Sequence, residues 1–94
     1  MKVHVTVSQD NIKVDEAFVG GTADEIVTKM KARVAKELGF IMRQALNAMS
    51  AITFAQEVVR QLNQKQKLNL PIPTSCDEFL RQAQDSGYAT MEPE

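Results

Sequence analysis

The residue types best suited to nucleophilic catalysis and zinc binding occur once each in this chain, as Cys76 and His4. Structural zinc needs four ligands at characteristic spacing, so we predict no metal site and no cofactor. Cys76 falls in the first turn of a predicted helix, where the dipole lowers a thiol pKa, but Asp77 and Glu78 oppose that effect. We expect a half-buried structural cysteine, a solvent-facing histidine and no enzyme; a Cys76–His4 dyad is the enzymatic alternative.

Paired carboxylates could act as general acid and base, and they occur at Asp15-Glu16, Asp24-Glu25 and Asp77-Glu78. The last two pairs fall in first turns of predicted helices, where acidic side chains complement the dipole. Helix capping therefore accounts for them. Gly20-Gly21 precedes a helix as phosphate-binding loops do, but it lacks the lysine and spacing of a P-loop and the third glycine of a dinucleotide fingerprint. We interpret it as a turn.

A block of basic residues is the clearest candidate for contacts with phosphate. Residues 29–67 carry eight basic and two acidic side chains, a net +6, between flanking blocks of −3 and −4. Four of the basic residues fall on one side of a helix: Lys29, Arg33, Lys36 and Arg43. Aromatic residues that stack on bases make up only 5%, and the net charge is −1, which is unlike most nucleic-acid-binding domains. A solvated helix face is the simpler interpretation; a small nucleic-acid-binding regulator is the alternative.

The N-terminal element is a predicted β-hairpin. Residues 2–8 alternate, with three valines on one face and polar residues on the other, which is the period of a half-buried strand. Turn-forming residues follow at Gln9, Asp10 and Asn11, and the apolar alternation resumes with Ile12, Val14 and Phe18. The pattern predicts an antiparallel hairpin, residues 2–8 with 12–19, whose valine face needs a helix to cover it.

Two capping boxes mark predicted helix starts, at Thr22–Glu25 and Ser75–Glu78. After the first, apolar residues recur at threes and fours over residues 23–65. One continuous helix of that length would extend about 65 Å, whereas a compact domain of this size is about 30 Å across. Gly39 followed by an apolar residue is typical of a helix end with glycine in the left-handed conformation. We favour a break there; one long helix is the alternative.

The C-terminal part begins with a predicted extended linker over residues 68–74, because each proline pushes its predecessor out of helical space. A short helix is predicted over residues 76–86. Gly87 would end it, and Tyr88 would fold back as the apolar contact. We expect residues 89–94 to be frayed.

The composition is that of one ordinary globular domain of 94 residues, with 44% apolar and 24% charged residues. We predict an α+β domain, mostly helical, in which the hairpin is covered by two long helical segments (or one long helix) and a short C-terminal helix. A lone cysteine forms no internal disulfide, the first ten residues show no signal peptide, and no stretch approaches the ~18 apolar residues of a membrane span. We expect a cytoplasmic protein that does not enter a membrane.

An apolar surplus in residues 40–59, FIMRQALNAMSAITFAQEVV, is the strongest functional signal. A surface helix needs an apolar stripe only a little wider than 100°, and this segment would be apolar nearly all round. A second copy is an economical cover, since two-fold dimers are the commonest assembly. We predict a homodimeric protein–protein interaction or assembly module; a monomer with this helix at its centre is the alternative. The predicted interface residues are Met42, Ala45, Leu46, Met49, Ile52 and Phe54.

Overall fold

Seven elements are formed by the residues that the computed structural model describes, 1–9, 12–37 and 39–92. In chain order they are β1 Lys2–Gln9, β2 Ile12–Val19, α1 Ala23–Ala35, α2 Phe40–Asn47, α3 Ala51–Gln66, α4 Cys76–Asp85 and β3 Ala89–Glu92. The three strands form an antiparallel sheet in the order β2-β1-β3, with the helices on one face. The predicted α+β class is confirmed.

The hairpin forms as predicted. Val3 lies opposite Phe18 and Val7 opposite Val14 in the β1–β2 register. Val3, Val5, Val14 and Phe18 are buried against the helices, because their common parity places them on one face of the sheet. Of the three residues predicted to form the turn, Gln9 is instead the last residue of β1. Residues 10–11 and the side chains of residues 9 and 12 lie outside the described residues.

The third strand corrects the expectation of a frayed tail for Ala89–Glu92. Gly87 ends α4 with φ +85°, and the Tyr88 N–H donates to the Ala83 carbonyl at 2.8 Å. This turn sends the chain back along the free edge of β1, where the Thr6 N–H donates to the Tyr88 carbonyl at 2.9 Å. The strand forms because it satisfies the open hydrogen bonds of that edge. Residues 93–94 lie outside the described residues.

Both predicted capping boxes start helices. The Glu25 N–H donates to Thr22 Oγ1 at 3.2 Å before α1, and the Glu78 N–H donates to Ser75 Oγ at 3.1 Å before α4. The Glu25 carboxylate accepts from the Gly21 N–H at 2.9 Å, one residue before the expected donor. These bonds satisfy N–H groups that have no partner within the helix.

The region predicted as helical over residues 23–65 contains two breaks. The first is the predicted one: α1 ends at Ala35 and α2 starts after Gly39. Gly39 has φ −67°, so it is the N-cap of α2 rather than a left-handed helix end; Leu38 lies outside the described residues. The second break, which was not predicted, precedes α3, where Ser50 Oγ accepts from the Thr53 N–H at 3.3 Å.

Amide side chains hold the connection between α3 and α4 in place. Asn63 forms two hydrogen bonds with the Leu70 backbone. Its Nδ2 donates to the Leu70 carbonyl at 3.0 Å, and its Oδ1 accepts from the Leu70 N–H at 2.9 Å. Two glutamines donate to proline carbonyls: Gln56 to Pro73 at 3.0 Å and Gln82 to Pro71 at 2.8 Å. Because prolines donate no backbone hydrogen bond, three of these four bonds hold the segment through its carbonyls.

The core lies between the sheet and α1, α3 and α4. Its larger members are Val3, Val5, Val14, Phe18, Ile26, Val27, Phe54, Val59, Phe79 and Leu80. Helix α2 contributes none of them, since not one of its eight residues, all of which are described, is buried. Helix α2 therefore lies outside the core.

Candidate functional site

An apolar cavity of about 520 Å³ lies between the inner face of the sheet and the helices. Its sheet side is formed by Val5, Val7, Val14 and Phe18, and its helix side by Met30, Val34, Met42, Leu46, Met49, Phe54, Val58, Leu62, Phe79 and Ala83. Pockets for small molecules usually have volumes of 300 to 1,000 Å³ and mostly apolar walls. The cavity therefore has the size and lining of a ligand site.

The orientation of α2 leaves the space unfilled. Phe40, Ile41 and Met42 are 70%, 80% and 60% exposed. Met42 and Leu46 reach the edge of the cavity, while Phe40 and Ile41 do not line it. Lys31 Nζ donates to the Met49 carbonyl at 2.6 Å and holds the turn that follows α2.

The cavity is partly open to solvent. Water finds few hydrogen-bond partners along its mostly apolar walls, so an apolar occupant would lower the free energy of this region.

The mouth of the cavity is marked by its exposed lining residues. These are Met42, Ala45, Gln61, Lys65 and Ser86. Lys65 and Ser86 lie near the C-terminal ends of α3 and α4, and the Tyr88 hydroxyl donates to Gln66 Oε1 at 3.0 Å, which ties those ends together. Polar groups at the ends of α3 and α4 therefore lie beside a mostly apolar space.

Five of the six residues predicted as a dimer interface line this cavity: Met42, Ala45, Leu46, Met49 and Phe54. Phe54 is 4% exposed and belongs to the core, so a partner could not reach it in this conformation. Ile52 is half-buried against the core. Phe40 and Ile41, which were not among the six, are 70% and 80% exposed, more than Met42 at 60%; the signal for them was Gly39, which separates them from the preceding helix.

The four basic residues predicted to contact phosphate do not form one free surface. Lys29 Nζ donates to the Val19 carbonyl, and Arg43 Nε donates to the Ala35 carbonyl at 3.2 Å. Arg33 pairs with Glu37 at 2.6 Å and Glu16 at 3.0 Å. The hydrogen bonds that the Arg33 guanidinium donates to Glu37 and, next in effect, to Glu16 raise the pKa of Arg33. Lys36 is exposed.

Arg43 also lies on a different helix from the other three, because the chain breaks before α2. Lys29, Arg33 and Arg43 therefore all make contacts within the chain that stabilise the fold.

Cys76 and His4 lie on opposite sides of the sheet, since Cys76 belongs to the core beneath its inner face. Cys76 is 3% exposed, and its pKa is raised to about 12, first by burial and then by the hydrogen bond with Asp24. His4 is on the outer face of the sheet, with Nε2 at 2.6 Å from Asp15 Oδ1 and Nδ1 at 3.0 Å from Glu92 Oε1. A thiol so rarely ionised is a poor nucleophile. Among the described residues, no group of three His, Cys, Asp or Glu side chains could hold a metal ion.

Comparison of the chain with protein-family models, with curated proteins and with solved structures found no match. No helix in the described part of the chain is long and apolar enough to cross a membrane. The cavity and the exposed side of α2 are thus the features from which a function can be inferred.

Proposed function

We propose that this protein is a non-enzymatic assembly module that forms a homodimer through the exposed side of α2. The observation that carries the proposal is the exposure of Phe40, Ile41 and Met42, by 70%, 80% and 60%. Single exposed apolar residues are common on protein surfaces, but adjacent large ones mark interaction sites. Burying them against a partner would gain about 25 cal/mol per Å² of apolar surface removed from water.

The residues around α2 favour a second copy as the partner. At about 100° per residue, Ile41, Ala45 and Ala48 lie within about 60° of one another, and all three are exposed. The alanines allow a second helix to approach closely. Arg43, which carries the charge in α2, points to the opposite side of the helix. An uncharged, self-complementary flank can pack on its own copy about a two-fold axis without like-charge repulsion.

The proposed interface consists of Phe40, Ile41, Met42, Ala45 and Ala48. It omits Phe54, which is buried, and it places Leu46 and Met49 behind the interface, on the cavity side. We place this association in the cytoplasm, because the chain's single cysteine is a buried free thiol, as is usual in reducing compartments.

The nucleic-acid alternative receives less support from the geometry. Lys29, Arg33 and Arg43 are engaged within the chain, and binding through phosphate contacts requires several cations that can exchange counterions. A gel-retardation assay at low salt tests it, and retardation that is lost in Lys36→Ala would favour the nucleic-acid role over the assembly role.

The test of the assembly role is the solution mass, measured by light scattering after size exclusion over a range of concentrations. We expect twice 10.5 kDa for the unmodified chain. Ile41→Glu should weaken the dimer about 100-fold, because two isoleucines lose about 1.5 kcal/mol each. Ala32→Glu adds the same charge to an exposed position of α1 and should leave the mass doubled. A mass of 10.5 kDa for the unmodified chain at every concentration would refute the proposal.

A further inference from the structure

The outer face of the sheet carries a histidine between two carboxylates that belong to different strands. His4 lies on β1, the central strand. Its Nε2 is 2.6 Å from Asp15 Oδ1 on β2, and its Nδ1 is 3.0 Å from Glu92 Oε1 on β3. The Lys2 ammonium, also on β1, lies 3.7 Å from Glu92 Oε2. The helices cover the other face of the sheet, so in the described part of the chain the charged groups around His4 come from the three strands.

Only the protonated imidazole can donate a hydrogen bond to both carboxylates. An ionised carboxylate only accepts hydrogen bonds, and a neutral imidazole has one N–H donor and one acceptor nitrogen. A neutral His4 can therefore keep one carboxylate, while its other nitrogen presents a lone pair to the second. The contact with Asp15 is the shorter of the two and is the largest cause that raises the pKa of His4. We therefore expect the neutral ring to keep Asp15 and to release Glu92.

The strand that carries Glu92 has few other contacts to hold it. Of the four residues of β3, Ala89 alone is buried, and an alanine side chain contributes little apolar surface. The strand pairs with β1 from Lys2 to Val5, and the Thr6 N–H donates to the carbonyl of the residue that precedes β3. Elements with few buried apolar contacts open locally, at a lower free energy than unfolding of the whole domain.

We propose that protonation of His4 controls the docking of β3 on β1. With His4 charged, its ring joins all three strands through their side chains. With His4 neutral, β3 opens more often while the β1–β2 hairpin stays paired. Opening exposes the backbone N–H and C=O groups along the edge of β1, and such an edge can pair with another strand. This inference goes beyond the proposed dimer and concerns the face of the sheet that the helices leave uncovered.

The experiment is amide hydrogen exchange of the full chain, followed by NMR at about pH 5 and about pH 8.5, on either side of the ordinary pKa of histidine. Rates are corrected for the intrinsic effect of pH on exchange. The Thr6 N–H donates to the Tyr88 carbonyl, so it reports the opening of β3. The Val5 N–H points the other way, to β2, and reports the hairpin. We expect Thr6 to exchange faster than Val5, with an opening constant about two- to fivefold larger at the higher pH, the effect of an exposed ion pair.

Matched substitutions of glutamate identify the group that responds to pH. Glu92→Gln should remove the pH dependence at Thr6, because an amide can donate or accept and so can face His4 in either protonation state. Glu16→Gln removes the same charge from β2 at a position that pairs with Arg33 instead, and it should keep the pH dependence. His4→Gln should remove it, as Glu92→Gln does.

Three results would overturn the inference. Equal protection of Thr6 and Val5 would show that β3 opens only together with the hairpin. An opening constant at Thr6 that is the same at both pH values would show that the charge of His4 does not hold the strand. A pH dependence that persists in Glu92→Gln would show that a different group causes it.

Discussion

Ala83 and Ala55 are helical alanines in different surroundings, and the same substitution should have opposite effects at the two positions. Ala83, on α4, is half-buried and lines the cavity. Ala55, on α3, is 0% exposed and belongs to the packed core. Ala→Leu adds three carbon atoms at either position. At about 0.8 kcal/mol per buried CH₂, Ala83→Leu should stabilise the fold by up to about 2 kcal/mol. Ala55→Leu should destabilise it by about 1–3 kcal/mol, because a close-packed core must distort to admit the larger side chain.

Urea and thermal unfolding followed by far-ultraviolet circular dichroism would measure both effects. A change of 1 kcal/mol moves Tm by about 4–8 °C in a domain of this size, so Ala83→Leu should raise Tm and Ala55→Leu should lower it by at least about 4 °C. Both should be made in an Ile41→Glu background, because dimerisation would make Tm depend on protein concentration. The urea dependence of the unfolding free energy should stay the same, since the surface exposed on unfolding hardly changes.

Loss of stability in both variants would refute the reasoning about the cavity. It would mean that α2 or the neighbouring side chains fill this space in solution. Gain of stability at Ala83 alone would show that the space exists and that an apolar group is stable in it.

Three further predictions concern single residues outside the cavity walls. Gly87→Ala should lower the unfolding free energy by about 1 kcal/mol, measured by urea denaturation, because φ is +85° there and a Cβ disfavours that conformation; an unchanged midpoint would contradict this. The hydrogen bond to Asp15 is the largest cause that raises the pKa of His4. The contribution of protonated His4 to the unfolding free energy should therefore be complete below pH 6.5 and be lost as pH rises through the folded-state pKa. His4→Gln should flatten that part of the dependence of the unfolding free energy on pH. Cys76, with its pKa raised to about 12 mainly by burial, should react with a thiol reagent far more slowly than a model peptide does at pH 8, and urea should remove the difference.

Local patterns in the sequence predicted the elements well where one residue and its near neighbours decide the structure. Thr22 and Ser75 each have a glutamate three residues later, and both start helices through the expected side-chain bond. Gly87 ends α4, as a glycine followed by an apolar residue indicates. The strict alternation of residues 2–8 predicted the inner face of β1, because a period of two has no other regular explanation.

Features that depend on contacts between residues far apart in the chain could not be predicted from the sequence. Residues 89–92 read Ala-Thr-Met-Glu, which is too short and too mixed to predict a strand; the edge of β1 induces one there. Ser50 is a good N-cap residue, but the apolar period continues through it, so the helix appeared continuous. A cavity is harder still to predict from the sequence, because it is the space that side chains from six elements leave between them. No residue type is specific to it.

The apolar surplus of residues 40–59 is nevertheless a sequence signal for both the cavity and the exposed helix. A single helix with that composition would have to be buried on every side. The break at Ser50 divides the segment instead, so that α3 joins the core through Phe54, Ala55 and Val59 while α2 stays outside it. Two groups of apolar residues then remain without a complete cover, Phe40 and Ile41 on the outside of α2 and the cavity walls behind it. A second copy can cover the first group, and the proposed interface extends to Met42 and Ala45 at the edge of the cavity. The same sequence feature therefore accounts for both the exposed side of α2 and the apolar cavity behind it.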